Sequence, residues 1–334
     1  MSIREVAARA GVSPATVSRV FTQPDAVAAD TRRRVLEVAG ELNYAPNPVA
    51  RSLARGRTGN LGIVVPDMAN SYSAMIAKAV QQEARRDGFA LFVAGSDELP
   101  QDEEQWARAM SAQVDGLLLV SPLMSDAALS ELAGQGPLVV VNRLLEGVPA
   151  VLTDATEATG HAVEHLYALG HRRIIYLAGP DGYSNDMRLR GYRGACARLG
   201  IEPVELGPFQ ARFAAGVRAA DLVLAASATA VVAYNDEVGV GVINRLADRG
   251  VRVPDDISLV GFDDTSLAGM VTPRLTTVRL PMVATGQAAV ALLLDLLNGR
   301  GPASPSPVVL PGELVIRAST GPHRPHDEQR GSGP

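Results

Sequence analysis

Residues 11–21, GVSPATVSRVF, carry side chains that could bind a nucleic acid. At helical spacing, Thr16, Ser18 and Arg19 lie away from the apolar side of a short predicted helix. That apolar side carries Val17, Val20 and Phe21. Hydroxyl and guanidinium groups bind base edges and phosphates, and Ala15 could contact a thymine methyl group. The alternative is a helical cap whose polar side is only solvated.

Two short helices and a tight turn are predicted to position these side chains. Ser2 and Glu5 have the spacing of a capping box, which predicts that the first helix begins directly after Ser2. Gly11 permits a sharp turn. Ser13 is a suitable N-cap for the second helix, and Pro14 suits its first position because no N–H is needed there.

A third helix is predicted over about residues 30–42. Its expected core positions are Val35, Leu36, Ala39 and Leu42. Three short helices with a tight turn between the first two are typical of a helix-turn-helix, whose second helix enters the DNA major groove.

Residues 46–58 are predicted to form a hinge. Pro46 and Pro48 end the third helix and disfavour ordinary helix through Asn47. Residues 49–54 can form only a short helix, which is unstable alone and is expected to need a partner copy and DNA. Its apolar side would carry Val49, Ala50 and Leu53, and the arginines predicted to contact phosphates are Arg51, Arg55 and Arg57.

Short apolar runs alternate with helical stretches through the rest of the chain. The runs cover residues 61–66, 90–94, 116–120, 138–141, 174–178, 230–234 and 258–262. Such runs are typical of parallel strands that are covered on both faces. Polar residues follow several of them: Asp67, Asn142-Arg143, Asn235-Asp236 and Asp263-Asp264. Because doubly wound sheets bind ligands beyond the carboxyl ends of their strands, we expect a ligand site there.

Composition limits the class of protein. The 334 residues are 47% hydrophobic, which is enough for a large core, and the single cysteine, Cys196, is expected to pack inside it. We find no membrane-spanning run and no signal peptide, so we expect a cytoplasmic protein. Residues 1–58 hold nine arginines and five acidic residues, 9 − 5 = +4, which leaves −5 − 4 = −9 for the remainder. A basic head on an acidic body suggests that only the head meets a polyanion, although chance could also produce this asymmetry.

The sequence contains no convincing catalytic set. Gly239 and Gly241 resemble the start of a dinucleotide-binding fingerprint, but Asn244 stands where glycine or alanine is needed. His161 and His165 are four residues apart, yet Ala162 occupies the position of the catalytic glutamate of a zinc protease. We therefore expect no enzyme activity, no cofactor and no metal site.

The sequence resembles the lac repressor (LacI/GalR) family of bacterial transcription regulators from about residue 2 to residue 320. The similar segments are IREVAARAGVSPATVSRV, TRRRVLEVAGELNYAPNPVARSLARG, NLGIVVPD, HLYALGHRRIIYLAGP, RLRGY, AVVAYNDEVGVGV and VPDDISLVGFDDT. The resemblance implies a small all-α helix-turn-helix head joined to an α/β body of two doubly wound parallel-sheet lobes, like those of periplasmic binding proteins. It also implies three crossings between the lobes.

The resemblance also assigns roles to residues. Paired hinge helices would enter the minor groove, with Leu53 wedged into the central base step. Arg188, Asn235 and Asp263 match positions that hold sugar hydroxyls. The alternative for each strand-end aspartate, including Asp263, is a turn residue or a helix cap. Tyr72 and Phe209 match positions whose rings wall the ligand.

Several positions depart from the family pattern. Asn70-Ser71-Tyr72-Ser73 replaces a more aromatic segment, so the ligand class cannot be transferred. Asp25 stands where a basic residue often contacts bases. Residues 321–334 are polar and rich in proline and glycine, which predicts a disordered tail. No leucine-heptad end segment is present, so we expect a dimer.

We predict a ligand-responsive repressor that binds a palindromic operator as a homodimer, with a sugar or related metabolite between its lobes. The predicted segments are a head (1–45), a hinge (46–58), a two-lobed body (60–320; first lobe 60–155 and 282–309, second lobe 156–281 and 310–320) and a tail (321–334). The predicted DNA-binding residues are Ser13, Pro14, Ala15, Thr16, Ser18, Arg19, Asn47, Arg51, Leu53 and Arg55. The rival hypotheses are a stand-alone sugar-binding or transport protein and an enzyme on a doubly wound sheet.

Overall fold

The computed structural model describes residues 2–44, 57–301 and 305–324. These residues form two compact units, which divide between Gly59 and Asn60. The predicted hinge contacts of Asn47, Arg51, Leu53 and Arg55 lie outside the described residues.

The first unit contains three α-helices. They are α1 (Ile3–Ala10), α2 (Pro14–Thr22) and α3 (Ala29–Glu41). The predicted capping box is present, because Glu5 N donates to Ser2 Oγ and the Glu5 carboxylate accepts from Ser2 N at 2.6 Å. Gly11 ends α1 with a φ of 64°, a left-handed conformation that glycine adopts without a steric cost. The buried core of this unit is Val6, Ala7, Ala10, Val17, Val20, Val35 and Ala39.

The predicted core position of Leu36 is wrong. Its side chain is 46% exposed, whereas Val35 and Ala39 are buried. Val35 and Ala39 are four residues apart and share one face of α3, and Leu36 is rotated about 100° away from Val35 around the helix axis. Leu42, the last predicted core position, is half-buried.

The second unit is built on two six-stranded sheets. The first sheet runs in the order β11-β5-β4-β3-β1-β2 and is parallel throughout. Its strands are β1 (Asn60–Val65), β2 (Ala90–Gly95), β3 (Gly116–Val120), β4 (Leu138–Val141), β5 (Ala150–Asp154) and β11 (Val308–Pro311). The second sheet runs β12-β10-β9-β8-β6-β7, and only the β12–β10 pair is antiparallel. Its strands are β6 (Ile174–Leu177), β7 (Val204–Leu206), β8 (Ala230–Val232), β9 (Ser258–Asp263), β10 (Thr276–Arg279) and β12 (Glu313–Val315).

Helices link the parallel strands. They are α4 (Ser71–Arg86), α5 (Pro100–Ser111), α6 (Asp126–Gln135), α7 (Thr156–Ala168), α8 (Tyr183–Leu199), α9 (Phe213–Ala225), α10 (Asp236–Asp248), α11 (Ser266–Met270) and α12 (Met282–Leu297). The two-lobed α/β class predicted from the sequence is confirmed. Cys196 is fully buried on α8.

The chain passes between the two sheets three times. It leaves the first sheet after β5, returns through α12 to reach β11, and ends in the second sheet with β12. The helix α12 packs against α4, so the first lobe is completed by residues that are distant in sequence. Here the first lobe denotes the first sheet with its helices, and the second lobe denotes the second sheet with its helices.

Five strands were absent from the sequence prediction: β5, β7, β10, β11 and β12. Several carry polar residues within short segments, as in Thr276–Arg279, so the apolar-run criterion could not find them. Each is paired to a neighbouring strand, and that pairing is a tertiary contact rather than a local pattern.

The first residues of the predicted tail form hydrogen bonds with the second lobe. Gly321 N donates to Ser258 Oγ at 3.0 Å, and His323 N donates to the Leu169 carbonyl at 2.8 Å. Residues 325–334 lie outside the described residues. Within residues 2–44, 57–301 and 305–324, every helix is too short or too polar to cross a membrane.

Candidate DNA-reading face and interlobe cavity

The helix α2 separates its residues into a packed side and an exposed side. Val17 and Val20 are buried against α1 and α3. Ala15, Ser18 and Arg19 are exposed, and we call these three residues the reading face. The reading face has the composition that base and phosphate recognition requires: a small apolar group, a hydroxyl and a guanidinium.

Two of the predicted DNA contacts also stabilise the start of α2. Ser13 Oγ accepts a hydrogen bond from Thr16 N at 3.1 Å, and the two hydroxyls lie 2.9 Å apart. Pro14 occupies the first position of the helix, as expected. Ser13 and Pro14 are exposed, whereas Thr16 is half-buried, so the structure gives the Thr16 hydroxyl a local partner in the cap.

A hydrogen bond from α3 holds the turn that follows α1. Arg34 Nε donates to the Ala10 carbonyl at 2.9 Å, which ties the third helix to the end of α1. Asp25, which departs from the usual basic residue, lies 3.4 Å from Arg32 Nη1. The carboxylate is fully exposed, so this ion pair adds little to stability.

The body contains a cavity between its lobes, at the carboxyl ends of strands from both sheets. Its volume is about 770 Å³, including the open mouth. The first lobe contributes Asn70, Tyr72 and Asn142, and the second lobe contributes Arg188, Asn235 and Asp263. The structure therefore brings four of the five predicted ligand residues together: Tyr72, Arg188, Asn235 and Asp263.

A buried ion pair lies in the second-lobe wall of the cavity. Arg188 Nη2 donates to Asp263 Oδ1 at 3.3 Å, and the two residues are only 5% and 4% exposed. Arg188 Nη1 donates to the Tyr234 carbonyl, and the guanidinium lies 4.4 Å from the centre of the Tyr234 ring. Burial raises the pKa of Asp263, and the Arg188 guanidinium opposes that rise. Arg188 Nε is buried and has no hydrogen-bond partner, so its N–H group can still donate a hydrogen bond.

A second buried carboxylate supports the residues that directly follow Asp263. Asp236 accepts from Thr277 Oγ1 at 2.6 Å and from Thr265 N at 2.7 Å. Burial, followed by the negative charge of Asp263, raises the pKa of Asp236 to about 7. Because its hydrogen bonds join α10 to β10 and to the residues after β9, Asp236 is a positioning group behind the cavity.

Three asparagines in the wall are structural caps and bridges. Asn235 Oδ1 accepts from Val238 N at 2.9 Å and so caps α10, a role that the sequence analysis did not assign to it. Asn70 Oδ1 caps α4 by accepting from Tyr72 N at 3.0 Å. Asn142 Oδ1 accepts from Thr153 N at 2.9 Å, and its Nδ2 donates to Tyr72 Oη at 2.9 Å.

Backbone strain is concentrated in this wall. The lining residues with positive φ are Glu98 (62°), Ser121 (46°), Asn142 (54°) and Asp263 (99°). Non-glycine residues adopt such angles at an energetic cost, and the surrounding structure must impose them. Strain at several points of one cavity favours a functional site over an incidental gap.

The prediction that Phe209 walls the ligand is not supported by its placement. Phe209 N donates to the Ala178 carbonyl at 2.9 Å, and its ring packs against the second-lobe core rather than lining the cavity. Tyr183, at the start of α8, and Tyr234, two residues after β8, line the cavity instead. Tyr234 could have been suspected from its place beside Asn235 at a strand end, but no sequence signal distinguished Tyr183.

The mouth of the cavity is crossed by contacts between the lobes. Asp67 Oδ2 lies 3.3 Å from Arg212 Nε. Ser71 N donates to Glu237 Oε1 at 3.2 Å, so a second-lobe carboxylate caps a first-lobe helix. Burial raises the pKa of Glu237, and the hydrogen bond from Ser71 opposes this.

Both units of the chain are similar to known protein families. Residues 2–47 match the family model described as bacterial regulatory proteins, lacI family, and residues 163–320 match a periplasmic binding protein-like domain. The HTH-type transcriptional repressor CytR of Escherichia coli (strain K12) is 33% identical over 328 residues, which cover 96% of each chain.

Two solved structures are also similar. The lac repressor dimer bound to operator and the anti-inducer ONPF has a TM-score of 0.86 and 29% identity, and the alignment covers 96% of this chain and 99% of that one. A complex of the transcriptional regulator CelR with cellobiose has a TM-score of 0.70 and 31% identity at the same coverage.

Proposed function

The chain belongs to the LacI family of bacterial regulatory proteins, and on that premise we propose that it is a ligand-responsive transcriptional repressor. It binds a palindromic operator as a homodimer, because a two-fold dimer presents two equivalent reading helices to two half-sites. It acts in the cytoplasm, and its cavity binds a small molecule without converting it.

The exposed reading face of α2 carries this proposal. The side chains of the reading face lie on α2, and Val17 and Val20 on the opposite side of this helix are buried in the core. A rigidly held helix can place Ala15 and Arg19 against base edges with little loss of conformational entropy on binding. The hinge residues Asn47, Arg51, Leu53 and Arg55 remain part of the proposal as additional DNA contacts.

The homodimer is proposed to form through the outer edge of the first lobe. The strand β2 ends the first sheet, and such an edge strand offers backbone groups for pairing. Phe92 on this strand is 40% exposed, and Met75 on α4 is 37% exposed. Between α4 and β2 lies a groove lined by Met68, Ala74, Ala77, Leu91 and Val93. A second copy of the chain would cover these apolar groups and bring two heads to one operator.

The deciding experiment is selection of genomic fragments from the source bacterium by the full-length protein, followed by sequencing. We expect an enriched palindrome whose half-sites are related by the dimer axis. Recovery of fragments without a shared sequence would contradict the proposal. Affinity for the selected site should also fall steeply with salt, because arginine–phosphate contacts release counterions.

A matched pair of charge variants separates specific from general DNA binding. Arg19→Ala removes a charge from the reading face and is expected to cost about 1–3 kcal/mol of operator affinity. Arg33→Ala removes the same charge from α3, where Arg33 pairs with Asp30 at 2.8 Å. Equal losses in the two variants, on operator and on random DNA alike, would exclude a sequence-reading role for α2.

The ligand response is tested at the buried ion pair. Asp263→Asn keeps the shape of the side chain but removes the charge that Arg188 contacts, so we expect operator binding to persist and the response to metabolites to disappear. Asp248→Asn, at the exposed end of α10, is the control and should respond normally. A tenfold change in operator affinity corresponds to about 1.4 kcal/mol of coupling between the two sites. A normal response in Asp263→Asn would remove the cavity from the proposed mechanism.

A further inference from the structure

The residue that follows the cavity aspartate, Asp264, is held by two arginines. Arg279 Nε donates to Asp264 Oδ2 at 2.7 Å, and Arg317 Nη2 donates to Asp264 Oδ1. The Asp264 side chain is only 8% exposed, so charged donors occupy both oxygens of a carboxylate that is largely withdrawn from water. We call Asp264, Arg279 and Arg317 the arginine clamp.

Both arginines of the clamp lie where the chain passes between the lobes. Arg279 is the last residue of β10, and the chain then crosses to α12 in the first lobe. Arg317 lies two residues after β12, the strand that the chain enters when it returns from β11. Arg279 Nη1 also donates to Oε1 of Glu313, the first residue of β12, at 2.7 Å. The clamp therefore joins the end of β9 to two of the three crossings.

The strand register places the same groups side by side. Asp263 is opposite Arg279 in the parallel β9–β10 pair, and Arg279 is opposite Glu313 in the antiparallel β10–β12 pair. Leu280, the first residue of the second crossing, donates its N–H to the Asp263 carbonyl at 3.4 Å. A displacement of the Asp263 backbone would therefore move residues at both crossings.

The backbone at the clamp is strained. Asp263 and Asp264 are consecutive and have φ values of 99° and 57°, which cost energy in residues other than glycine. Side-chain contacts hold this segment: Asp263 pairs with Arg188, Asp264 with the clamp, and Thr265 N donates to Asp236 at 2.7 Å. Strained residues that are held in this way are typical of switch regions, because loss of one contact allows a second backbone arrangement.

We propose that Asp264 is a positioning residue, which transmits ligand contact at Asp263 to the two crossings through the arginine clamp. The proposal rests on the proposed ligand response. Asp264 does not line the cavity, so its effect on a ligand passes through Asp263. A ligand that binds one arrangement of residues 263–265 more tightly than another shifts the clamp and the crossings with it. Without the clamp, Asp263 and Arg188 can still contact the ligand, but the crossings no longer follow.

The test separates binding from response in Asp264→Asn. Asparagine keeps the shape of the side chain and tolerates a left-handed backbone, but it lacks the charge that the two arginines contact. The probe is a whole metabolite extract of the source bacterium, added to the full-length protein. Binding is measured as a rise in the thermal unfolding midpoint, and response as a change in affinity for the operator recovered by genomic selection.

We expect Asp264→Asn to keep the rise in midpoint and to lose the response. Coupling of the usual size changes operator affinity about 5–150-fold, and we expect less than about twofold in the variant. A full response in Asp264→Asn would overturn the inference. Loss of both the rise and the response would also overturn it, because Asp264 would then act only on ligand binding.

Asp256→Asn is the matched control. Asp256 accepts from Arg252 Nη2 at 2.9 Å near the opposite end of β9, so this substitution also breaks an arginine–aspartate pair in the second lobe. Asp256→Asn should bind and respond like the wild type. A response that is lost equally in both aspartate variants would overturn the special role of the clamp.

Arg279→Met removes the clamp from its other side. The Arg279 side chain is 50% exposed, so this variant decides the question if Asp264→Asn does not fold. We expect it to bind without responding, and the double variant with Asp264→Asn to lose nothing more, because both act through one contact. A wild type whose operator affinity ignores the extract would contradict the proposed ligand response and the inference with it, while the genomic selection still tests DNA binding.

Discussion

Asp67 in the first lobe and Arg212 in the second lobe form an ion pair across the mouth of the cavity, with 3.3 Å between Oδ2 and Nε. Beside it, Asn70 donates to the Ala211 carbonyl and Ser71 N donates to Glu237. These contacts join the two lobes directly. The protein's own side chains therefore contribute to the free-energy difference between closed and open lobes.

We expect Arg212→Met to shift the lobes towards an open arrangement. The Arg212 side chain is 39% exposed, so solvent screening limits the pair to about 1 kcal/mol, or roughly a fivefold shift in the closure equilibrium. X-ray scattering of the ligand-free protein measures this as a larger radius of gyration. Arg218→Met is the control, at an exposed position on α9, the helix that begins directly after Arg212. An unchanged radius in Arg212→Met would mean that the pair does not hold the lobes.

Gly179→Ala is expected to disturb the cavity from behind Tyr234. A methyl group at residue 179 would overlap the Tyr234 ring, which also lies against Arg188. The ring must move, and overpacking of this kind costs about 1–3 kcal/mol of unfolding free energy. Denaturant unfolding should show this loss, and the metabolite response should weaken with it.

Gly134→Ala is the matched control for that substitution. It adds the same methyl group on α6, where nothing lies within 4 Å of the new atom. Alanine is favoured over glycine in a helix, so we expect unchanged or slightly increased stability. A stable Gly179→Ala protein with a normal response would show that the Tyr234 ring can move without affecting the site.

The protein is expected to lose stability as the pH falls below about 6.5, partly through His171. The Gly321 carbonyl, 3.1 Å away, requires a proton on His171 Nε2, and Nδ1 is buried without a partner. Burial lowers the pKa of His171; the Gly321 carbonyl opposes this, and the nearby His323, His165 and Arg172 add to the lowering. Below pH 6.5 the unfolded chain binds a proton that folded His171 resists, so acid favours unfolding.

The measurement is urea unfolding between pH 5.5 and pH 8 for the wild type and His171→Gln. Glutamine can still donate to Gly321 but does not titrate, so we expect a lower stability at pH 8 and a flatter decline towards acid. His161→Gln removes an exposed histidine on α7 and should retain the wild-type pH dependence. Parallel declines in the wild type and His171→Gln would assign the acid sensitivity to other groups.

Leu53 remains a sequence-based prediction, because it lies outside the described residues. If it wedges between base pairs, Leu53→Ala should cost the operator complex about 1.5–3 kcal/mol, or roughly ten- to a hundredfold in affinity. Binding to random DNA should change less, since it depends on phosphate contacts. Leu99→Ala, at an exposed leucine of the first lobe, is the control in the same binding titration. Equal losses on both DNAs would refute the wedge.

Local sequence patterns were sufficient to predict the features that depend on neighbouring residues. The Ser2–Glu5 capping box, the left-handed Gly11 and the Ser13–Pro14 start of α2 all follow from interactions within four residues, so local spacing was sufficient to predict them. The strand-end polar residues followed from apolar runs. The resemblance to a family then selected Asn235 and Asp263 among them and added Arg188, which lies on α8.

Only the tertiary structure decided how those residues are used. Arg188 and Asp263 are 75 positions apart, and they meet because α8 and β9 belong to one lobe. Packing in the second lobe also places Phe209 against the core and engages the Asn235 amide with Val238 N and the Ala211 carbonyl. In the N-terminal unit, the packing of α3 leaves Leu36 exposed. Such outcomes depend on which strands and helices become neighbours, and local spacing carries no information about long-range pairing.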